Sequence, residues 1–158
     1  MMEHFTHSLD LSNPFIETPK EIERFIINKR NWDAVVLYYF EKAEVLAVHY
    51  WPQDLHLTED RQFSTKKYHS LLPYMIDDKP TDLDMHIASY SLAPPIKQIL
   101  LESTTTGQST DIFDFQLKNS SGVLVHSYDN GTSLFFEASI QMYEELSKLT
   151  SPGAIEIL

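Results

Sequence analysis

The dipeptide Asn130-Gly131, set between the runs "SGVLVHSYD" and "TSLFFEA", constrains this chain more than any other feature. A two-residue reversal needs positive φ at both central positions, which Asn and Gly tolerate, so the run is read as a β-hairpin with a type I′ turn. The turn fixes the register: Tyr128 faces Ser133, Ser127 faces Leu134, His126 faces Phe135 and Val125 faces Phe136. One face then carries Val123, Val125, Leu134, Phe136 and Ala138, a core face without charge. The other carries Leu124, His126, Tyr128, Phe135 and Glu137, which suits a half-exposed surface or the floor of a groove. With "DIFDFQLKN" upstream and the short "NSSG" link, these runs predict a three-stranded antiparallel meander.

Helix signals flank this unit. Ser139 is placed to cap a helix through "IQMYEELSKL", with Ile140, Tyr143 and Leu146 inward and "TSPG" as the stop. Near the start of the chain, Thr18, Pro19 and Glu21 form a capping-box start, predicting a helix over about 18–30 whose Ile22, Phe25 and Ile26 turn inward. The run "DAVVLYYFEKAEVLAVHYW" is rich in Val, Tyr and Phe and broken once by "EKAE". It is read as a second hairpin over 34–51, with Phe40 opposite Val45 and Val36 opposite His49. A helix is the competing reading, because periodicity does not exclude one in so apolar a run. Shorter helices are expected through "KKYHSLLPYMI", bent by Pro73, and over about 95–102, while the Thr- and Ser-rich stretch 103–110 reads as a loop. These elements make a single α+β domain over 1–158, with a mostly antiparallel sheet of about five strands and helices packed largely on one face.

Composition narrows the function. Twenty-three acidic residues against twelve Lys and Arg give a net charge of −11, spread without an acidic tail, which repels phosphate backbones and anionic lipid. Nucleic acid and membrane are therefore not expected as ligands. There is no cysteine, hence no disulfide, thiolate nucleophile or Cys-ligated metal. The opening "MMEHFTHSLDLSNPF" lacks the basic start and apolar run of a secretory signal, and a cytoplasmic protein is the expectation. Four glycines, at 107, 122, 131 and 153, build no phosphate cradle, and "HExxH", "GxSxG" and calcium loops are absent from the sequence. No cofactor is expected.

Two functional readings follow. The first is a small acidic protein-binding module, an inhibitor or immunity-type protein that occludes a basic toxin or nuclease. Its candidate contact residues are Asp77, Asp78, Asp82, Asp84, Glu41 and Glu44. The second is a small hydrolase, isomerase or ligand-binding domain with a pocket on the meander, where His126 lies diagonally across from Glu137 and beside Tyr128 as a general-base arrangement. Asp82, Asp84 and His86 alternate in "DLDMHIAS" and would point one way in an extended strand, but a solvated acidic loop accounts for them better, and no metal site is assigned. The aromatic store around 32–68 is read as core, and the apolar run 34–51 also offers a homodimer surface.

Overall fold

Trp32, Val35, Val36 and Tyr39 recur at the spacing of one helix face, and all four are buried. They belong to a single helix, α1 (Pro19–Phe40), of 22 residues and about 33 Å. The first half of the expected hairpin over 34–51 is thus helical: the β-rich composition of "AVVLYYF" yields to the apolar stripe, which a strand would have split between two faces. Burying each large side chain of that stripe stabilises the fold by about 1.5–3 kcal/mol. Further back along α1, Ile22 and Ile26, expected inward, are exposed, and buried Asn28, Lys29 and Asn31 take the inner positions. The Lys29 ammonium pairs with Asp33, donates to the Leu101 carbonyl at 2.9 Å and lies 4.9 Å from the Trp32 ring centroid.

The computed structural model describes residues 4–12, 19–53, 62–102, 110 and 112–158; the Thr18 cap and most of the 103–110 loop lie outside them. The architecture is α+β. Its strands are β1 (His7–Leu9), β2 (Val45–Tyr50), β3 (Met75–Pro80), β4 (His86–Ser91), β5 (Asp114–Asn119), β6 (Gly122–Tyr128), β7 (Ser133–Phe136) and β8 (Ile155–Ile157). They form one antiparallel sheet in the order β3-β4-β2-β5-β6-β7-β1-β8, eight strands where about five were expected. The additions are the β3–β4 hairpin, which the sequence reading took as helix end and loop, and the short outer strands β1 and β8.

Besides α1 there are α2 (Gln62–Leu71), α3 (Pro94–Leu101) and α4 (Ile140–Leu149). Ser139 caps α4 as expected, its hydroxyl accepting from the Met142 amide at 3.2 Å, but Ile140 points to solvent. Lys67 of α2 donates to the Glu102 carbonyl at 3.1 Å, so lysines from two helices meet the carbonyls at the end of α3. Among the described residues the core lies between these helices and one face of the sheet, which supplies Leu46, Val48, Phe115, Leu117, Val125, Leu134 and Phe136.

The expected meander is present, and so is its register: Tyr128 pairs with Ser133 and His126 with Phe135. The turn differs. Asp129, Asn130 and Gly131 have φ of 51, 57 and 83°, three consecutive left-handed residues where a type I′ turn needs two. The longer loop is anchored by its own backbone, since the Asn130 amide donates to the Phe113 carbonyl at 2.9 Å and its carbonyl accepts from Thr110 at 3.1 Å.

Candidate functional site on the outer face of the sheet

Strand alternation places His49 of β2, Asp114 and Gln116 of β5, and His126 and Tyr128 of β6 on the face turned away from the core. Register brings them together. His49 lies directly opposite Asp114 across the β2–β5 ladder, and His126 lies opposite Gln116, one diagonal step from Asp114. The Asp114 carboxylate therefore stands between two imidazoles. His126 Nε2 meets Asp114 Oδ1 at 2.6 Å, and His49 Nδ1 approaches the same oxygen at 3.3 Å. That His49 nitrogen is buried yet lacks the alignment of a hydrogen bond. The side chains of His49, Asp114 and His126 are 21, 15 and 7% exposed, so the cluster is shielded without being sealed.

The His126 imidazole is held firmly. The His126 ring stacks on Tyr128 with centroids 3.6 Å apart, meets Phe5 edge-on at 6.3 Å and lies nearly parallel to His49 at 6.0 Å. Its Nδ1 is 3.3 Å from Gln116 Nε2. If the amide donates there, Nε2 carries the proton given to Asp114, and the ring is oriented from both ends. Burial alone would raise the Asp114 carboxyl, but the His126 hydrogen bond and the closeness of His49 outweigh it and hold the group below the ordinary carboxylate range.

This changes the arrangement expected from sequence. His126 and Tyr128 are together on the outer face, but the carboxylate that meets His126 is Asp114, across the opposite ladder. Glu137 lies past the end of β7, exposed, with its backbone carbonyl accepting the Tyr39 hydroxyl. His49 and Asp114 were not singled out in the sequence. Asp114 left one signal: an aspartate at the head of a strand, where aspartate is disfavoured.

The acidic candidates separate into groups. Asp77, Asp78, Asp82 and Asp84 all sit on the β3–β4 hairpin at one edge of the sheet. Asp82 and Asp84 are in its exposed turn, and Asp84 adopts a left-handed φ of 59°. Asp77 is half-exposed, 3.4 Å from Lys79. Asp78 is engaged, accepting the Tyr50 hydroxyl and meeting His86 Nδ1 at 3.0 Å. His86 therefore belongs with Asp78, and the Asp82–Asp84–His86 grouping is not formed. Glu41 and Glu44 precede β2, at the other end of that strand, roughly 20 Å from the hairpin turn. Glu41 pairs with Lys97 at 2.9 Å. The run 34–51 likewise offers no apolar hairpin to a second copy, because Val35, Val36, Tyr39, Leu46 and Val48 are all in the core.

No protein-family model matches the chain, and no curated protein or solved structure is significantly similar to it. Among the described residues no helix is long and apolar enough to cross a membrane.

Proposed function

We propose that the chain is a protein-binding module that docks a basic partner on the β3–β4 hairpin, acting as an inhibitor or immunity-type protein that occludes a cationic toxin or nuclease. The observation that carries this reading is the composition of one edge of the sheet. Asp77, Asp82 and Asp84 share the hairpin with two exposed apolar side chains, Ile76 and Leu83, at 58 and 78% exposure, and with one lysine, Lys79, which pairs with Asp77. Apolar anchors on a mainly acidic hairpin suit an interface in which the charges speed encounter and the anchors supply affinity. The edge strand adds backbone groups open to a partner strand. Glu41 and Glu44, at the far end of β2, are not part of this surface.

The test is capture from native lysate by the parent chain and by the Asp77→Lys/Asp82→Lys/Asp84→Lys variant, over a salt series and read by mass spectrometry. Asp78 is left intact because it holds Tyr50 and His86. A single basic protein retained one-to-one by the parent, released by salt and lost in the variant, supports the reading. Retention by the variant, or no basic partner, defeats it.

A second reading has its own observation. The oriented His126–Asp114 pair on the half-shielded outer face supports a small-ligand site on the meander, with Asp114 in the role first given to Glu137. Turnover lost on His126→Gln, with unchanged melting temperature, is its signature.

A further inference from the structure

The structure assigns a binding site for one divalent transition-metal ion to His49 Nδ1, Asp114 Oδ1 and His126 Nε2, the three groups that the registers of β2, β5 and β6 bring together. One donor atom from each lies within 4.8 Å of the others. Ligands about 2.0–2.1 Å from a tetrahedral ion are separated from one another by roughly 3.3 Å. The His49–Asp114 pair already stands at 3.3 Å, and the His126–Asp114 pair, drawn to 2.6 Å by a shared proton, has only to widen to the same spacing.

The donor set selects the class of ion. Two imidazole nitrogens and a carboxylate oxygen suit zinc, iron(II), cobalt or nickel, whereas magnesium and calcium prefer all-oxygen shells. Three protein ligands leave at least one position for water or another ligand, the pattern of an open site and not of a closed structural one.

Two features separate this cluster from an ordinary hydrogen-bonded trio. The first is His49 Nδ1, buried 3.3 Å from the carboxylate oxygen but not aligned for a hydrogen bond with it. A metal ion bound in front of both atoms gives that nitrogen the partner it lacks. The second is Gln116. When His126 coordinates through Nε2, its proton moves to Nδ1 and needs an acceptor. Turning the Gln116 amide over brings Oε1 to the position of Nε2, now 3.3 Å from that nitrogen, so the same side chain serves both protonation patterns. The Tyr128 stack holds the His126 ring plane, so the changes that binding asks for are the wider His126–Asp114 spacing, the shifted ring proton and the turned Gln116 amide.

The experiment uses the full chain, stripped with chelator and titrated with zinc chloride by calorimetry, with cobalt chloride as an optical probe. The expected result is one ion per chain and a visible cobalt spectrum of low-symmetry nitrogen and oxygen coordination. His49→Gln and His126→Gln are expected to abolish the stoichiometric event, and Gln116→Leu to weaken it about 10- to 100-fold. His86→Gln, which removes the imidazole paired with Asp78, is expected to leave it intact. Should the ligand variants fail to fold, nitrogen-15 spectra of histidine-labelled parent protein decide the matter: zinc must shift His49 Nδ1 and His126 Nε2 above all other ring nitrogens. No stoichiometric binding by folded protein, binding that persists in folded His49→Gln and His126→Gln, or zinc-induced shifts confined to other histidines overturns the assignment. None of these outcomes bears on the edge hairpin, whose capture test stands apart.

Discussion

Asp114→Asn is the substitution that asks most of the outer-face cluster. It keeps the shape of the side chain and removes the charge that His126 meets at 2.6 Å and His49 at 3.3 Å. A hydrogen bond to a charged partner contributes about 1.5–3 kcal/mol, and the amide retains part of it as a neutral acceptor, so a loss of about 2 kcal/mol at pH 7 in chelated buffer is expected. For a chain of this size that is a fall of roughly 4–8 °C in Tm. The pH dependence is the sharper test. The folded carboxyl lies below its ordinary value of 3.8, so its stabilisation is fully present above that value and lost as pH falls through the lower folded one. Urea unfolding of parent and variant should give a gap at pH 7 that closes as pH falls below about 4. A gap that stays constant to the acid limit of the fold, or one under about 0.5 kcal/mol at pH 7, refutes the reasoning, since the charge would then not be what the imidazoles stabilise.

Two further perturbations probe the packing beneath the site. Tyr39→Phe removes the hydroxyl that donates to the Glu137 carbonyl across the junction of α1 with the end of β7, and should cost about 1–2 kcal/mol by denaturant titration with an unchanged m-value. His7, stacked between Phe136 and Tyr143 at 5.7 and 5.2 Å, has its pKa lowered by burial. The unfolded chain binds the proton first, so stability falls as pH drops from about 6.5 toward the folded value, and His7→Phe should flatten that part of the stability profile.

Much of the fold was legible where the chain makes its own neighbours. The β6–β7 register, the Ser139 cap and the α3 span follow from residues a few positions apart, and all are as the sequence implied. The reading failed where composition and periodicity disagreed. Val, Tyr and Phe over 34–40 favour a strand by propensity, but Trp32, Val35, Val36 and Tyr39 keep one helical face, and burial of that face dominates a propensity difference of at most a few tenths of a kcal/mol per residue. The β3–β4 hairpin was missed for the opposite reason. "MIDDKP" is an edge strand with little to bury, so its polar sequence reads as loop, and it is held by pairing with β4, which is itself anchored to β2 inside the sheet.

The site shows how a single register decision moves chemistry from one face to the other. His126 was legible because its hairpin is local, but a strand inside a sheet has two neighbours, and the local hairpin displayed only the one carrying Glu137. The other neighbour, β5, joins β6 through Ser120 and Ser121, and a plain reversal from Asn119–Gly122 would set Phe115 opposite His126. That pairing puts Asp114 on the core face and Phe115 outside. Leu124 prevents it: as the extra residue of a bulge between the Lys118–Val123 and Leu117–Val125 pairs, it advances the ladder by one. Phe115 and Leu117 then join Val125 in the core, and Asp114 arrives beside His126. Matching the apolar positions of "DFQL" to those of "VLVH" demands that shift, so the bulge was implied by the need to bury Phe115 and Leu117 together with Val125. His49 had no such route, because its partnership with Asp114 depends on β2 pairing with a strand sixty residues away in sequence, roughly counted, and no local signal encodes that pairing.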